Sequence, residues 1–123
     1  MNVKGISWAG IRSSDFDATI RYFSETVGIP LTLRNDEAQW AHFRLKSGDL
    51  FEVFGPNNRY DELHACPVFA FEVDDIESAR KEMEQRGVEF VTEIRTWEKE
   101  AWCYFRGPDG FLYEIVMTEG ENP

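Results

Sequence analysis

Trp40-Ala41-His42-Phe43-Arg44-Leu45-Lys46-Ser47-Gly48-Asp49-Leu50-Phe51-Glu52-Val53 is a stretch that the chain writes twice. It returns as Trp102-Cys103-Tyr104-Phe105-Arg106-Gly107-Pro108-Asp109-Gly110-Phe111-Leu112-Tyr113-Glu114-Ile115, with Trp, Phe, Arg, Gly, Leu and Glu recurring in order and without a gap. Ungapped recurrence at one fixed offset is the signature of an internal duplication. Each copy alternates apolar and polar residues on both sides of a glycine-bearing turn, which predicts a hairpin whose second strand ends on a glutamate. Glu52 and Glu114 are therefore related by the repeat.

Working outward, the flanks of the two copies also correspond. Before the first copy, Ile6 to Arg12 reads as a strand, and Ser13-Ser14-Asp15 offers oxygens to cap a helix start. Phe16, Ile20, Phe23 and Val27 then form one apolar stripe of a helix, stopped by Gly28 and Pro30. Leu31 to Leu33 suits a strand and Arg34 to Glu37 a polar turn. Before the second copy, Val68 to Val73 is an apolar strand, Asp74-Asp75 caps, and Ile76, Ala79 and Met83 form a helical stripe that Gly87 ends. Val88 to Ile94 reads as a strand and Arg95 to Glu100 as a polar loop. The order β-α-β-β-β occurs twice, predicting an α+β domain over 1–123: module one 3–55, a connector 56–66, and module two 67–118. Each sheet needs cover for one apolar face, which helices on the outside of a curled mixed sheet supply, leaving the other face to bound a concave site.

Composition narrows the function. With 123 residues and 42% apolar content the chain can bury a core as one domain. Thirteen basic against 23 acidic residues give a net charge of −10, which repels phosphate backbones and anionic lipid, so neither nucleic acid nor membrane is an expected partner. The same charge would steer a cationic small molecule. Cys66 and Cys103 form no Cys-x-x-Cys pair and no disulfide framework, and no apolar run approaches the length of a signal core or membrane span; a cytoplasmic setting is expected. Neither cysteine has a neighbouring His-Asp arrangement that would make it a nucleophile.

Three further segments carry a resemblance: Ser14-Asp15-Phe16-Asp17 leading to Tyr22-Phe23 and Val27-Gly28-Ile29-Pro30-Leu31; Phe71-Glu72-Val73-Asp74-Asp75-Ile76 with Arg86-Gly87-Val88; and Gly107-Pro108-Asp109-Gly110-Phe111-Leu112-Tyr113-Glu114. Together they resemble the vicinal oxygen chelate superfamily, which groups glyoxalases, bleomycin-resistance proteins and extradiol dioxygenases, over essentially the whole chain. The resemblance implies two β-α-β-β-β modules around a concave site, and a homodimer. In metal-dependent members it implies a divalent cation held by one residue from the first strand and one from the last strand of each module. Carried over, the last-strand positions are Glu52 and Glu114, and the first-strand positions fall on Trp8 and Val68. Neither of those side chains can give a metal a lone pair, so half of the implied ligand set is missing.

What remains is two carboxylates with no obvious cation. Each must take its neutral form, meet Arg12, Arg44 or Arg106, or bind a ligand. Hairpin parity decides whether His42 helps. A four-residue loop Gly107–Gly110 would pair Tyr104 with Tyr113 and point Tyr104, and by the repeat His42, away from the glutamates; a loop of odd length reverses this. His42 aligns with Tyr104 as an aromatic serving the sheet, and His64 sits in the connector. The expected function is binding of a small cationic or aromatic ligand, without the usual metal, by Trp8, Val68, Trp40, Trp102 and His42, with Trp97 nearby. The alternatives are a divergent lyase, isomerase or dioxygenase using Glu52 and Glu114 as catalytic or metal-binding groups, and a vestigial site on a scaffold.

Overall fold

The structure, a computed structural model, describes residues 1–59 and 66–119. The chain divides into two compact units, Ser7–Val68 and Met1–Ile6 with the chain from Phe69 onward. The first six residues thus group with the second module rather than the first. Three polar ties account for this: the Met1 ammonium lies 3.2 Å from Glu82, Asn2 Nδ2 donates to Asp74 at 2.8 Å, and Lys4 reaches Glu72 and Asp74 at 3.2 and 3.3 Å.

In the unit Ser7–Val68, the part of β1 (Val3–Arg12) from Ser7 onward, β2 (Leu31–Asn35), β3 (Trp40–Arg44) and β4 (Leu50–Phe54) form a mixed sheet in the order β2-β3-β4-β1, with β1 parallel to β4 and the other pairs antiparallel. Asp15 caps α1 (Phe16–Arg21) through the Ala18 amide, as its short carboxylate in extended backbone allows. The helix then widens into a π-helical segment, Tyr22–Val27, closed by Gly28 at φ 85°. That widening explains one departure from the predicted stripe. With five-residue hydrogen-bond spacing, Val27 no longer returns to the face of Phe23 and is 51% exposed. Phe16 and Ile20 pack on Ala41, Phe43 and Val53, so α1 covers the face carrying odd-numbered residues of β3 and β4. Full burial of Phe43 or Val53 contributes roughly 1.5–3 kcal/mol each. The opposite face carries Trp8, Gly10, Trp40, His42, Leu50 and Glu52.

The other unit repeats the plan. β5 (Val68–Val73), β6 (Glu89–Phe90), β8 (Glu100–Arg106) and β9 (Leu112–Thr118) run in the order β5-β9-β8-β6, and β7 (Arg95–Trp97) also pairs with β8. Asp75 caps α2 (Ile76–Gln85) through the Ser78 amide, and Ile76 and Ala79 pack on Cys103 and Ile115. Two expectations are corrected here. The strand predicted over Val88–Ile94 is only Glu89–Phe90, and the predicted loop Arg95–Glu100 contains β7. Thr92 is the cause: its carbonyl accepts from Arg80 Nη1 (2.6 Å) and its hydroxyl from the Tyr104 amide (3.1 Å), so the ladder breaks there and resumes beyond it. No helix among the described residues is long and apolar enough to cross a membrane.

Candidate functional site

On the face of the first unit's sheet opposite α1, two side chains, Trp8 and His42, approach one carboxylate, that of Glu52. Trp8 Nε1–H donates to Glu52 Oε1 at 2.6 Å, and His42 Nε2 lies 2.9 Å from Glu52 Oε2. Trp40 completes the group, its ring centroid 4.7 Å from that of His42 at an interplanar angle of 41°. The His42 and Glu52 side chains keep 18% and 16% of their surface, so the pair is half-buried but reachable.

His42 stands opposite Glu52 because the hairpin loop is odd. Gly48 N–H donates to Leu45 O at 2.9 Å, Leu45 N–H donates to Asp49 O at 3.0 Å, and Gly48 takes φ 90°. This is a turn followed by one left-handed glycine, a three-residue connection. It sets the register His42↔Glu52 and Arg44↔Leu50. The second hairpin is the same construction: Gly110 N–H to Gly107 O, Gly107 N–H to Phe111 O, Gly110 at φ 85°, and Tyr104 opposite Glu114. Of the two loop parities left open by the sequence, the odd one is therefore realised. Pro108 in the second position and Gly110 in the fourth were the signals in the sequence that favour this turn.

Gly10 is the residue that the sequence reading passed over. It pairs with Glu52 across β1 and β4, and a Cβ there would stand 2.2 Å from Trp8 Cη2. The indole lies over bare backbone, and that contact lets Nε1 reach Glu52. A glycine two residues after a tryptophan in a strand was the available signal.

In the other unit Glu114 is 4% exposed and pairs with Ala70 on β5 and Tyr104 on β8. Val68 opens β5 and is fully buried. Trp102 is half-buried on β8 opposite Val116, whereas Trp97 is 53% exposed on β7. Cys103 faces α2 in the core, where burial pushes its thiol up to about 11, against the pull of Arg80. His64 lies outside the described residues.

The three arginines offered as one alternative for the glutamates donate to backbone carbonyls. Arg44 Nη1 donates to Gly48 O and Arg106 Nη1 to Gly110 O, both at 2.9 Å, so each arginine braces its own hairpin loop. Arg12 donates to the carbonyls of Gly55 (2.7 Å) and Asn58 (2.6 Å). Each is the geometry of a guanidinium facing a turn, where carbonyls are left over by the ladder.

A sequence model of the glyoxalase/bleomycin resistance protein/dioxygenase superfamily matches residues 5–115. The chain belongs to this superfamily. Solved structures agree on the fold. Methylmalonyl-CoA epimerase from Mycobacterium tuberculosis superimposes with a TM-score of 0.72 at 21% identity, over 97% of this chain and 91% of that one. A hypothetical protein from Bacillus halodurans C-125 gives 0.76 at 14% identity over 96% of both chains. A superfamily member from Vibrio splendidus 12B01 gives 0.70 at 14% identity over 94% and 99%. At these identities the likeness is one of fold, and no curated protein matches the sequence.

The cation implied for metal-dependent glyoxalase-superfamily members does not fit the donors of the first unit. The first-strand position holds an indole whose nitrogen presents a proton, and it is aimed at the carboxylate that should bind the metal. Among the described residues, no group of three or more His, Cys, Asp or Glu is placed to hold an ion.

Proposed function

We propose that this glyoxalase-superfamily member binds a small ligand without a resident metal. The observation that supports the reading is Glu52: one of its oxygens accepts from Trp8 Nε1–H and the other lies 2.9 Å from His42 Nε2, where the family pattern would put a cation. The flat ring of Trp40 beside His42, together with the net charge of −10, favours a cationic aromatic ligand. Val68 is assigned to ligand binding by the resemblance and Trp102 by its correspondence to Trp40 in the repeat, and homodimerisation and a cytoplasmic setting by the resemblance and composition.

The second reading is catalytic. A carboxylate paired with an imidazole is a competent acid–base unit, suited to proton abstraction beside a carbonyl, with Glu52 and Glu114 as the catalytic carboxylates. The two readings separate on metal content and turnover. Protein purified without chelators should carry no stoichiometric divalent metal, and its tryptophan fluorescence should quench on titration with cationic aromatic compounds. Stoichiometric metal that disappears in Glu52→Gln or Glu114→Gln would overturn the proposal in favour of a divergent metalloenzyme. A fluorescence signal unmoved by a broad panel would remove the binding reading.

A further inference from the structure

We propose that a band of aromatic rings on the α2 side of the unit from Phe69 onward is a self-association surface for two copies of this chain. It is independent of what the Glu52 site binds. Four half-buried rings, one from each strand of the order β5-β9-β8-β6, follow one another across the sheet. Phe71 and Tyr113 have centroids 6.4 Å apart at 25°, Tyr113 and Phe105 5.8 Å at 23°, and Phe105 and Phe90 5.7 Å at 57°. The Tyr113 hydroxyl donates to Asp109, so the ring is left to offer its apolar surface. Two more rings stand at the same end of the sheet. Phe69, two residues before Phe71, is 45% exposed, and Phe111, two residues before Tyr113, is 56% exposed. The two-residue period of strands puts each on the side of its neighbour. Exposed rings beside half-buried ones make a contiguous apolar patch, the kind that marks an interaction surface.

The duplication shows what such a band takes as cover. In the first unit, Phe43 and Phe51 are the counterparts of Phe105 and Tyr113. There the chain supplies a ring of its own: Phe23, eight residues after the capping Asp15, stands edge-on to Phe51 at 4.9 Å and to Phe43 at 6.4 Å, and Phe43 is fully buried. Eight residues after the capping Asp75 stands Met83, which has no ring, and Phe105 stays half-buried. An edge-on ring from a second copy completes the same arrangement. Phe69 and Phe111 are rings of that kind, so across a two-fold axis each copy gives a ring and receives one. Charge permits the approach. Arg86 and Arg106 against Glu82, Glu89 and Asp109 border this end of the sheet, close to balance in a chain of net charge −10, and both signs are present for pairing between copies. The exposed halves of Phe69 and Phe111 amount to roughly 200 Å², well short of the roughly 800 Å² per partner of a standard interface. The dimer is therefore weak, with a dissociation constant of about 10⁻⁵ to 10⁻⁴ M.

The test uses the intact chain. Sedimentation velocity across that concentration range should show the average mass rising from monomer towards dimer. Phe69→Ser and Phe111→Ser should each raise the dissociation constant about tenfold or more, with the circular dichroism of the monomer unchanged. In a mixture of ¹³C-labelled and unlabelled chains, isotope-filtered spectra should show Phe111 of one copy in contact with the Tyr113 or Phe105 ring of the other. A chain that stays monomeric throughout, or a dimer that neither substitution weakens, would overturn the proposal. A monomeric chain that binds 8-anilinonaphthalene-1-sulfonate, and loses that binding in Phe111→Ser, would also overturn it and assign the patch to a small aromatic ligand.

Discussion

His42 and Glu52 are direct cross-strand partners, their side chains 2.9 Å apart, because Gly48 takes a left-handed conformation that makes the intervening loop odd. One residue more or less would put His42 on the α1 side of the sheet, among Phe43 and Val53. Nothing crowds a Cβ at Gly48 or Gly110, so replacing either with Ala tests backbone conformation alone. Each substitution should cost about 1–2 kcal/mol in denaturant unfolding. Gly48→Ala should in addition perturb the His42 resonances, which Gly110→Ala should leave in place.

The Trp8–Glu52 bond is expected to couple energetically. Trp8→Phe keeps a ring over Gly10 but removes the N–H, leaving Oε1 to water. Because Glu52 is 16% exposed, the loss should lie near the low end of the range for a stranded acceptor, about 1 kcal/mol. A double-mutant cycle with Glu52→Gln, read by urea unfolding, should return a coupling of roughly 0.5 kcal/mol or more. Additive effects would show that the two side chains do not interact in solution.

Gly10→Ala forces the indole away, since a Cβ cannot stand 2.2 Å from a ring carbon. The expected cost is about 1–3 kcal/mol, typical of overpacking. The tryptophan emission should shift to the red as Trp8 leaves its sheltered position. Full stability with an unchanged spectrum would mean that the ring does not lie over Gly10.

The two thiols should differ sharply. Cys103 is fully buried with its thiol raised to about 11, so at about pH 8 only roughly one part in a thousand is thiolate. Cys66 keeps partial exposure. A thiol reagent should therefore label the native chain once, at Cys66, and twice after denaturation. Rapid double labelling of native protein would contradict the packing of Cys103 against α2.

Asp109 sits in the second hairpin turn, where the Tyr113 hydroxyl, and then the Phe111 amide, hold its carboxyl below the ordinary value of 3.8. A depressed carboxylate releases its proton on folding, so its contribution is complete above the unfolded value and is lost as pH falls through the lower folded one. Asp109→Asn should therefore reduce stability at neutral pH and flatten the acid limb of the stability profile. An unchanged difference between variant and wild type from neutral to strongly acidic pH would show that the turn does not retain the charge. Asp17, held down chiefly by Arg34, and Asp74, held down by Asn2 and Lys4, should follow the same sign.

The sequence by itself determined that there are two β-α-β-β-β modules, that the stretches Ser13–Asp15 and Asp74–Asp75 start the helices, and that Glu52 and Glu114 hold equivalent places. These follow from local physics: periodicity, capping oxygens and glycines that stop helices are written in neighbouring residues. The partners of Glu52 were not legible in that way. Trp8, His42 and Gly10 reach it from two other strands, and whether they share its face depended on the parity of one turn and on an indole fitting over a glycine. Arg44 and Arg106 stood closer to the glutamates in sequence, yet each turns to its own loop carbonyl. Sequence placed a carboxylate where a metal ligand was expected, and only the tertiary structure decided that an indole and an imidazole meet it, because side chains distant in the chain become neighbours through strand register.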